Sequence, residues 1–368
     1  MTRRRPDHVW ETKSHRAYRL EAEADESRRE RLELRFENGD VHVATLELKR
    51  QVVPAAAAED PDLVHAVSCW LVARGARSIR LRTDDDRTLM RGDLTPASLG
   101  RQARPEQAPS TLVTLAPSNA EMVDALRRFD RVVACEESSD HPPECAERER
   151  LGPDLNPDLD RVAELSPDLV VSSLSVPGME RVVTGLRARG LDQVVLAPRS
   201  LDDVQDEAAL LGRVLHADDE AATLVADMKR QRNELEDAAR AAGAPLPVYL
   251  EWWPKPMFSP GADCYSNELI ALAGGRNVFG ERSGSSLEIS AEDLQAAAPA
   301  ACFVSWCGVD EEKLDVENLL GREGLSELDA VKTRAVFPLD ERFSGRPGPR
   351  MLEASRRMAA ALATVRDA

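Results

Sequence analysis

The sequence predicts an α/β protein of two lobes joined by one long helix and preceded by a small α+β domain. Three observations carry that prediction. From Thr111 onward, short apolar runs alternate with amphipathic stretches, the pattern of parallel α/β units. Residues 218–242 hold good helix formers without Gly or Pro, enough for a helix of about 37 Å at 1.5 Å per residue. Charge divides the chain as well: residues 1–105 carry 20 basic and 18 acidic side chains, whereas 106–368 carry 28 and 47. The polar stretch 101–110, with Pro105 and Pro109, fits a linker. The division is then 1–105 for the small domain, 106–110 for the linker proper, 111–217 for the first lobe, 218–243 for the joining helix and 244–368 for the second lobe.

In the small domain, residues 31–36 and 41–48 alternate apolar and charged side chains on either side of Glu37-Asn38-Gly39-Asp40, which reads as a hairpin. Asp60-Pro61 then caps a helix with apolar positions Leu63, Val67, Trp70 and Leu71, and residues 78–82 form a strand. Its four histidines (His8, His15, His42, His65) lack metal-ligand spacing. In the first lobe, residues 112–115, 132–135, 168–172 and 193–196 read as strands. Helices follow at 117–126 and 179–189, the latter closed by Gly190. The second lobe reads as strands at 248–252, 301–306 and 335–338, with helices at 267–273 and 349–365.

Composition excludes several functions. The net charge of −17 repels a phosphate backbone, which argues against nucleic-acid binding and against anionic membranes. No apolar run approaches the roughly 18 to 20 residues that span a bilayer, so no membrane insertion is expected. Neither is a secretory segment visible after Arg3-Arg4-Arg5, and the expected location is cytoplasmic. Only 6 of 48 basic residues are Lys, an acidic, Lys-poor balance that suits a salt-adapted, halophilic cytosol. The six cysteines form no CxxC pair and are expected as thiols. No nucleophile elbow, phosphate loop or HExxH motif is present, so no enzyme is expected.

Several motifs in the α/β region occur together and in order. They are Thr111-Leu-Val-Thr-Leu-Ala-Pro-Ser-Asn119 with Glu121, Asp130-Arg131-Val-Val133, Asp140-His141-Pro142-Pro143-Glu144, Leu159-Asp160-Arg161, Leu165-Ser166-Pro167-Asp168, Gly274-Gly275-Arg276-Asn277 and Arg346-Pro347-Gly348-Pro349-Arg350. In this ordered set the sequence resembles the helical-backbone (class III) substrate-binding proteins of ABC transporters. Glu251-Trp252-Trp253-Pro254-Lys255-Pro256 and Ser305-Trp306-Cys307-Gly308 are most similar to the cobalamin-binding branch. The resemblance covers residues 111–366 and implies two Rossmann-like lobes that close on a corrinoid, an iron-siderophore, haem or another metal chelate. That ligand would be cargo, with no cofactor required, and the partner an ABC permease or another protein. The resemblance also implies that Asp160 and Glu292 dock onto a transporter, and that His141 belongs to the ligand-binding set.

Physical arguments supply the other candidates. Trp252, Trp253 and Trp306 lie where predicted strands run out into loops, the place where open parallel sheets meet ligands, although one of the adjacent pair is expected to face the core. Arg346 and Arg350 stand at a proline-bounded helix start, where the helix dipole disfavours cations, and this argues for an anionic partner. Ser118 and Asn119 begin a helix; their oxygens can cap its amides, and the same amides can meet a ligand oxygen. His141, Cys145 and Cys135 are close in sequence, but Pro142 and Pro143 break the helical spacing a shared metal would need, so no metal site is expected. The leading reading is a binding-protein-like receptor inside the cell. The alternatives are a regulatory module with a degenerate cleft, and an ordinary importer's binding protein with an unrecognised export signal.

Overall fold

The computed structural model describes residues 95–367 apart from Pro177. Within residues 1–94 it describes the backbone of the strands and helix named below, and side chains only for residues 65–73. Contacts divide the chain into two units: residues 1–120, 128–197 and 213–216 form one, and residues 121–127, 198–212 and 217–368 form the other.

In the first unit, strands β1 (His8–Glu11), β2 (Ala17–Glu21), β3 (Arg29–Arg35), β4 (Val41–Glu47), β5 (Arg50–Val53), β6 (Ser78–Thr83) and β7 (Thr88–Asp93) pair in chain order as a seven-stranded sheet. Only β5 and β6 run parallel, because α1 (Pro61–Ala73) crosses between them. The expected hairpin is the β3–β4 pair, in register from Arg35↔Val41 to Arg29↔Glu47, while its turn lies outside the described residues. Residues 65–73 of α1 are all buried, more than two full turns with no solvent-facing side. His65 is a packed histidine: its Nε2 lies 3.2 Å from the Leu99 carbonyl and its Nδ1 3.6 Å from Cys69 Sγ.

The same unit holds a five-stranded sheet in the order β10-β9-β8-β11-β12, parallel throughout. Its strands are β8 (Leu112–Thr114), β9 (Val132–Cys135), β10 (Glu149–Arg150), β11 (Leu169–Ser173) and β12 (Gln193–Leu196). Strands covered on both faces must be apolar along their length, and β8, β11 and β12 are buried at every position. Helices α2 (Pro117–Ala125), α3 (Leu159–Leu165) and α4 (Glu180–Ala188) follow β8, β10 and β11. Helix α1 packs against α4, whose residues from Val182 to Leu186 and Glu180 are all buried.

The stretch expected as a linker lies fixed along this unit. Arg101 donates its backbone N–H to the Gln193 carbonyl at 2.7 Å, and Arg131 Nη1 donates to the Pro109 carbonyl at 3.0 Å. His216 Nε2 is 2.9 Å from the Pro105 carbonyl, a partner that its position at a helix end gave no reason to expect. Asp168 accepts from Ser110 N (2.8 Å), Ser110 Oγ (2.6 Å) and Thr111 N (3.1 Å), which hold its carboxyl below the usual range.

In the second unit, α6 (Asp218–Ala241) realises the long predicted helix over 24 residues, with Asp218, Asp219 and Glu220 at its positive end. It follows α5 (Leu201–Leu215) in the chain. The parallel sheet runs β16-β13-β18-β19, from β13 (Leu246–Glu251), β16 (Gly275–Asn277), β18 (Ala301–Val304) and β19 (Val336–Pro338). Gly275 is required where β16 meets β13, since a Cβ there would sit 2.8 Å from Val248 Cγ2 and 3.0 Å from Ile270 Cγ2. A separate antiparallel sheet, absent from the sequence reading, forms from β14 (Trp253–Pro254), β15 (Met257–Pro260) and β17 (Ser286–Ile289). Helices α7 (Ser266–Leu272), α8 (Ala291–Ala297), α9 (Glu317–Leu320), α10 (Asp329–Lys332), α11 (Glu341–Ser344) and α12 (Leu352–Arg366) complete the unit.

Candidate functional site

Strand order locates the sites. In an open parallel sheet the chain reverses its direction of winding at one point, and the carboxyl ends of the strands flanking that point leave a crevice for a ligand. In the second unit those strands are β13 and β18, so the crevice is bordered by Glu251 and Trp252 on one side and Ser305, Trp306 and Cys307 on the other. In the first unit they are β8 and β11, with the start of α2 beside them.

The second unit's crevice is organised by a carboxylate. Glu251 is fully buried and accepts four hydrogen bonds: from Tyr249 Oη at 3.0 Å, Trp306 Nε1 at 3.1 Å, and Arg322 Nη1 and Nη2 at 2.5 and 2.9 Å. Both oxygens are thus satisfied twice over, in the bidentate form that guanidinium and carboxylate favour. Burial, and then the Glu251 charge, push the Tyr249 phenol far up, so it stays a donor. Trp306 packs in an apolar cluster with Tyr249, Phe279, Cys302 and Leu325, and its N–H faces Glu251. Of the three tryptophans it is the core residue.

Trp252 and Trp253 behave differently. Strand β13 stops at Glu251, and the chain bends at Trp252 before β14 begins, so the two rings are not alternate sides of one strand. Trp252 is half-buried; its backbone N–H donates to Phe258 O at 2.8 Å, and its carbonyl accepts from Cys307 N at 3.2 Å. Its indole Nε1 is buried and has no hydrogen-bond partner among the described residues. Trp253 is 45% exposed and donates its Nε1 to the Lys255 carbonyl at 3.2 Å.

Arg346 and Arg350 meet a carboxylate within the chain. Glu121, buried to 1% of its side chain, receives Arg350 Nε at 3.0 Å and Nη2 at 2.5 Å, while Arg346 Nη1 lies 3.5 Å away. Glu341 adds a second acid 3.4 Å from Arg346 Nε. The anion expected beside these cations is therefore supplied by Glu121, a residue the sequence reading quoted without giving it a role.

In the first unit, Ser118 and Asn119 lie in the first turn of α2, both buried. Asn119 Nδ2 donates to the Val171 carbonyl at 3.0 Å, which bolts the helix to β11. His141 lies in the connection after β9, and Cys145 on a 3-10 turn, Pro143–Glu147. Among the described residues no group of three His, Cys, Asp or Glu side chains is placed to hold a metal ion. Glu136, also without a role in the sequence reading, is fully buried just beyond β9 and accepts from Ser138 N and Ser139 Oγ at 2.5 Å each. Burial raises its carboxyl above the usual range against those hydrogen bonds, and Asp154 adds to the rise. Of the two proposed docking acids, Asp160 is exposed and held by Arg189 Nη2 at 2.7 Å. Glu292 is exposed in the first turn of α8, where its own backbone N–H and Ser290 lower its carboxyl.

Residues 112–343 match the family described as periplasmic binding protein. The chain belongs to that family. The uncharacterized ABC transporter substrate-binding lipoprotein YvrC of Bacillus subtilis is 26% identical over 253 residues, covering 67% of this chain and 78% of that protein. The vitamin B12-binding protein of Vibrio cholerae is 26% identical over 261 residues, covering 71% and 90%. Among solved structures, a periplasmic heme-binding protein from Roseiflexus sp. RS-1 superposes with a TM-score of 0.63 at 24% identity, covering 70% of this chain and 98% of that one. The periplasmic binding protein match lies wholly within the α/β region, and these relatives are named as binding proteins rather than enzymes.

Two tests follow from the buried acids. Arg322→Met leaves the Glu251 charge uncompensated and should cost about 3–5 kcal/mol in urea unfolding, whereas Glu251→Gln with Arg322→Met should cost less than that single change. Glu136 prefers its proton in the folded state, so it lowers stability as pH rises through and above the ordinary glutamate value of about 4.3. Glu136→Gln should therefore raise the midpoint at pH 7 and lose that advantage below about pH 4; an advantage equal at both pH values would contradict the assignment.

Proposed function

We propose that this chain is a non-catalytic receptor of the periplasmic-binding-protein type whose ligand is a neutral, amide-rich corrinoid or a metal chelate of similar character. The observation that carries the reading is Trp252: a half-buried ring at the crevice of β13 and β18, whose buried N–H has no acceptor among the described residues. Buried indole N–H groups ordinarily find a partner. An amide carbonyl on the rim of a macrocycle supplies one while the ring covers apolar surface, and Trp253 offers a second, more exposed ring next to it. The pairing of Arg346 and Arg350 with Glu121 favours a neutral ligand, since a multiply anionic one such as haem would compete with a buried carboxylate for both cations. The relative named for vitamin B12 supports the same class.

Tryptophan emission on titration with cobalamin, cobinamide, haem and a ferric hydroxamate siderophore tests this. Quenching should be strongest and saturate at the lowest concentration with the two corrinoids. Trp252→Ala should weaken corrinoid binding by about 1–3 kcal/mol, the scale of a central aromatic contact. Binding of haem in preference to both corrinoids would overturn the neutral-ligand reading, and binding of none of the four by folded protein would overturn the receptor.

The partner we propose is a protein of the ABC-permease class, met through exposed Glu292 and Asp160. The compartment we propose is a salt-rich cytosol, which the acidic, Lys-poor composition supports. Cell fractionation should recover the protein in the soluble interior; recovery of a lipid-modified form at the outer surface would overturn that placement.

A further inference from the structure

Two of the six cysteines are neighbours in space. Cys135 closes β9 and Cys145 lies on the 3-10 turn Pro143–Glu147, and both are buried, at 0% and 1% exposure. Cys135 Sγ donates to the Cys145 carbonyl at 3.9 Å, which brings the two cysteines into contact. Arg150 Nη1 donates to Cys135 Sγ at 3.3 Å and is itself fixed by the carbonyls of Glu136 (2.9 Å) and Ser139 (2.8 Å). The pairing of β10 with β9 holds it there, since Arg150 stands opposite Cys135 in the register. Contact with Cys145, and then the Arg150 charge, lower the Cys135 thiol despite its burial, while the same contact and burial raise Cys145. The Arg150 guanidinium beside its sulfur thus makes Cys135 the better nucleophile of the two.

We propose that Cys135 and Cys145 are a redox pair that closes to a disulfide with a low-molecular-weight disulfide as oxidant. The Cys135 thiolate attacks one sulfur of the oxidant and displaces a thiolate, which takes up a proton, leaving a mixed disulfide on Cys135. Cys145 then gives up its proton and attacks the Cys135 sulfur, displacing the second small thiolate. Two protein thiols are oxidised to one disulfide, and the oxidant is reduced to two thiols. Both sulfurs are buried, so exchange proceeds through opening of the short 3-10 turn rather than by direct attack on the closed form. The bond would tie the end of β9 to the connection that carries Glu136, Ser138 and His141, and would form or not according to the redox poise of the compartment.

The pair lies within one tryptic peptide, residues 132–148, bounded by Arg131 and Arg148. Reduced protein equilibrated with oxidised glutathione, alkylated and digested should yield that peptide lighter by two hydrogens than its reduced form and carrying no alkyl group. Hydrogen exchange of residues 136–144 should slow at least tenfold in the oxidised protein. Cys145→Ser should stop the reaction at the first step and accumulate glutathione on Cys135, while Cys302→Ser, which removes a thiol elsewhere, should leave the linked peptide unchanged. Recovery of the wild-type peptide with both cysteines alkylated, from native protein and from protein refolded in the same buffer, would overturn the proposal. So would glutathione on both cysteines without a link.

Discussion

A single buried carboxylate organises the crevice of the second unit. Glu251 ends the central strand β13, and its four donors come from three places in the chain: Tyr249 on the same strand, Trp306 just beyond β18, and Arg322 after α9. A charge this deep is tolerable only with its hydrogen bonds made, so the strand ends and the Arg322 segment must hold one mutual arrangement. The direction of each neighbouring ring follows from that. Trp306 turns its N–H inward to Glu251, whereas Trp252, one residue past the anchored position, is left at the edge with its own N–H unmatched among the described residues.

Glu121 plays a comparable part around Arg346 and Arg350. Two cations before α12 would repel each other and sit poorly at a helix start, and one buried acid between them removes both difficulties. Arg350 also lies over the Phe343 ring at 5.3 Å, which fixes its stem and its direction. Charge at this place is accordingly balanced inside the protein, and the chemistry it presents outward is less basic than two arginines in the sequence suggest.

The parallel sheets were legible because strands buried on both faces must be apolar along their length: residues 112–115, 193–196 and 301–306 announce β8, β12 and β18 within two residues. The long helix was legible through the absence of Gly and Pro, and ended one residue before its expected limit. The β14-β15-β17 sheet was not, since Pro254, Pro256 and Pro260 break its strands into lengths too short for a periodic signal. The candidate site was legible by position and not by partner. Trp252, Trp306, Arg346 and Arg350 could be placed at strand or helix ends, but Glu251 and Glu121, which engage three of them, are 55 to 229 residues distant in the chain. Glu251 did leave a trace, a charge inside an otherwise apolar run; Arg322 left none.

Residues 65–73 of helix α1 are buried on every side, and α4, against which the helix lies, is buried over most of its length. An ordinary surface helix keeps one polar face as insurance against losing its neighbour, and α4 has largely given that up. The portion of the chain that matches the binding-protein family therefore abuts a helix outside it: cut out alone, it would open to water the part of α4 that α1 now covers, whose residues Glu180 and Val182 to Leu186 are buried. A sensor built from residues 112–368 would first need that helix redesigned as an exterior one.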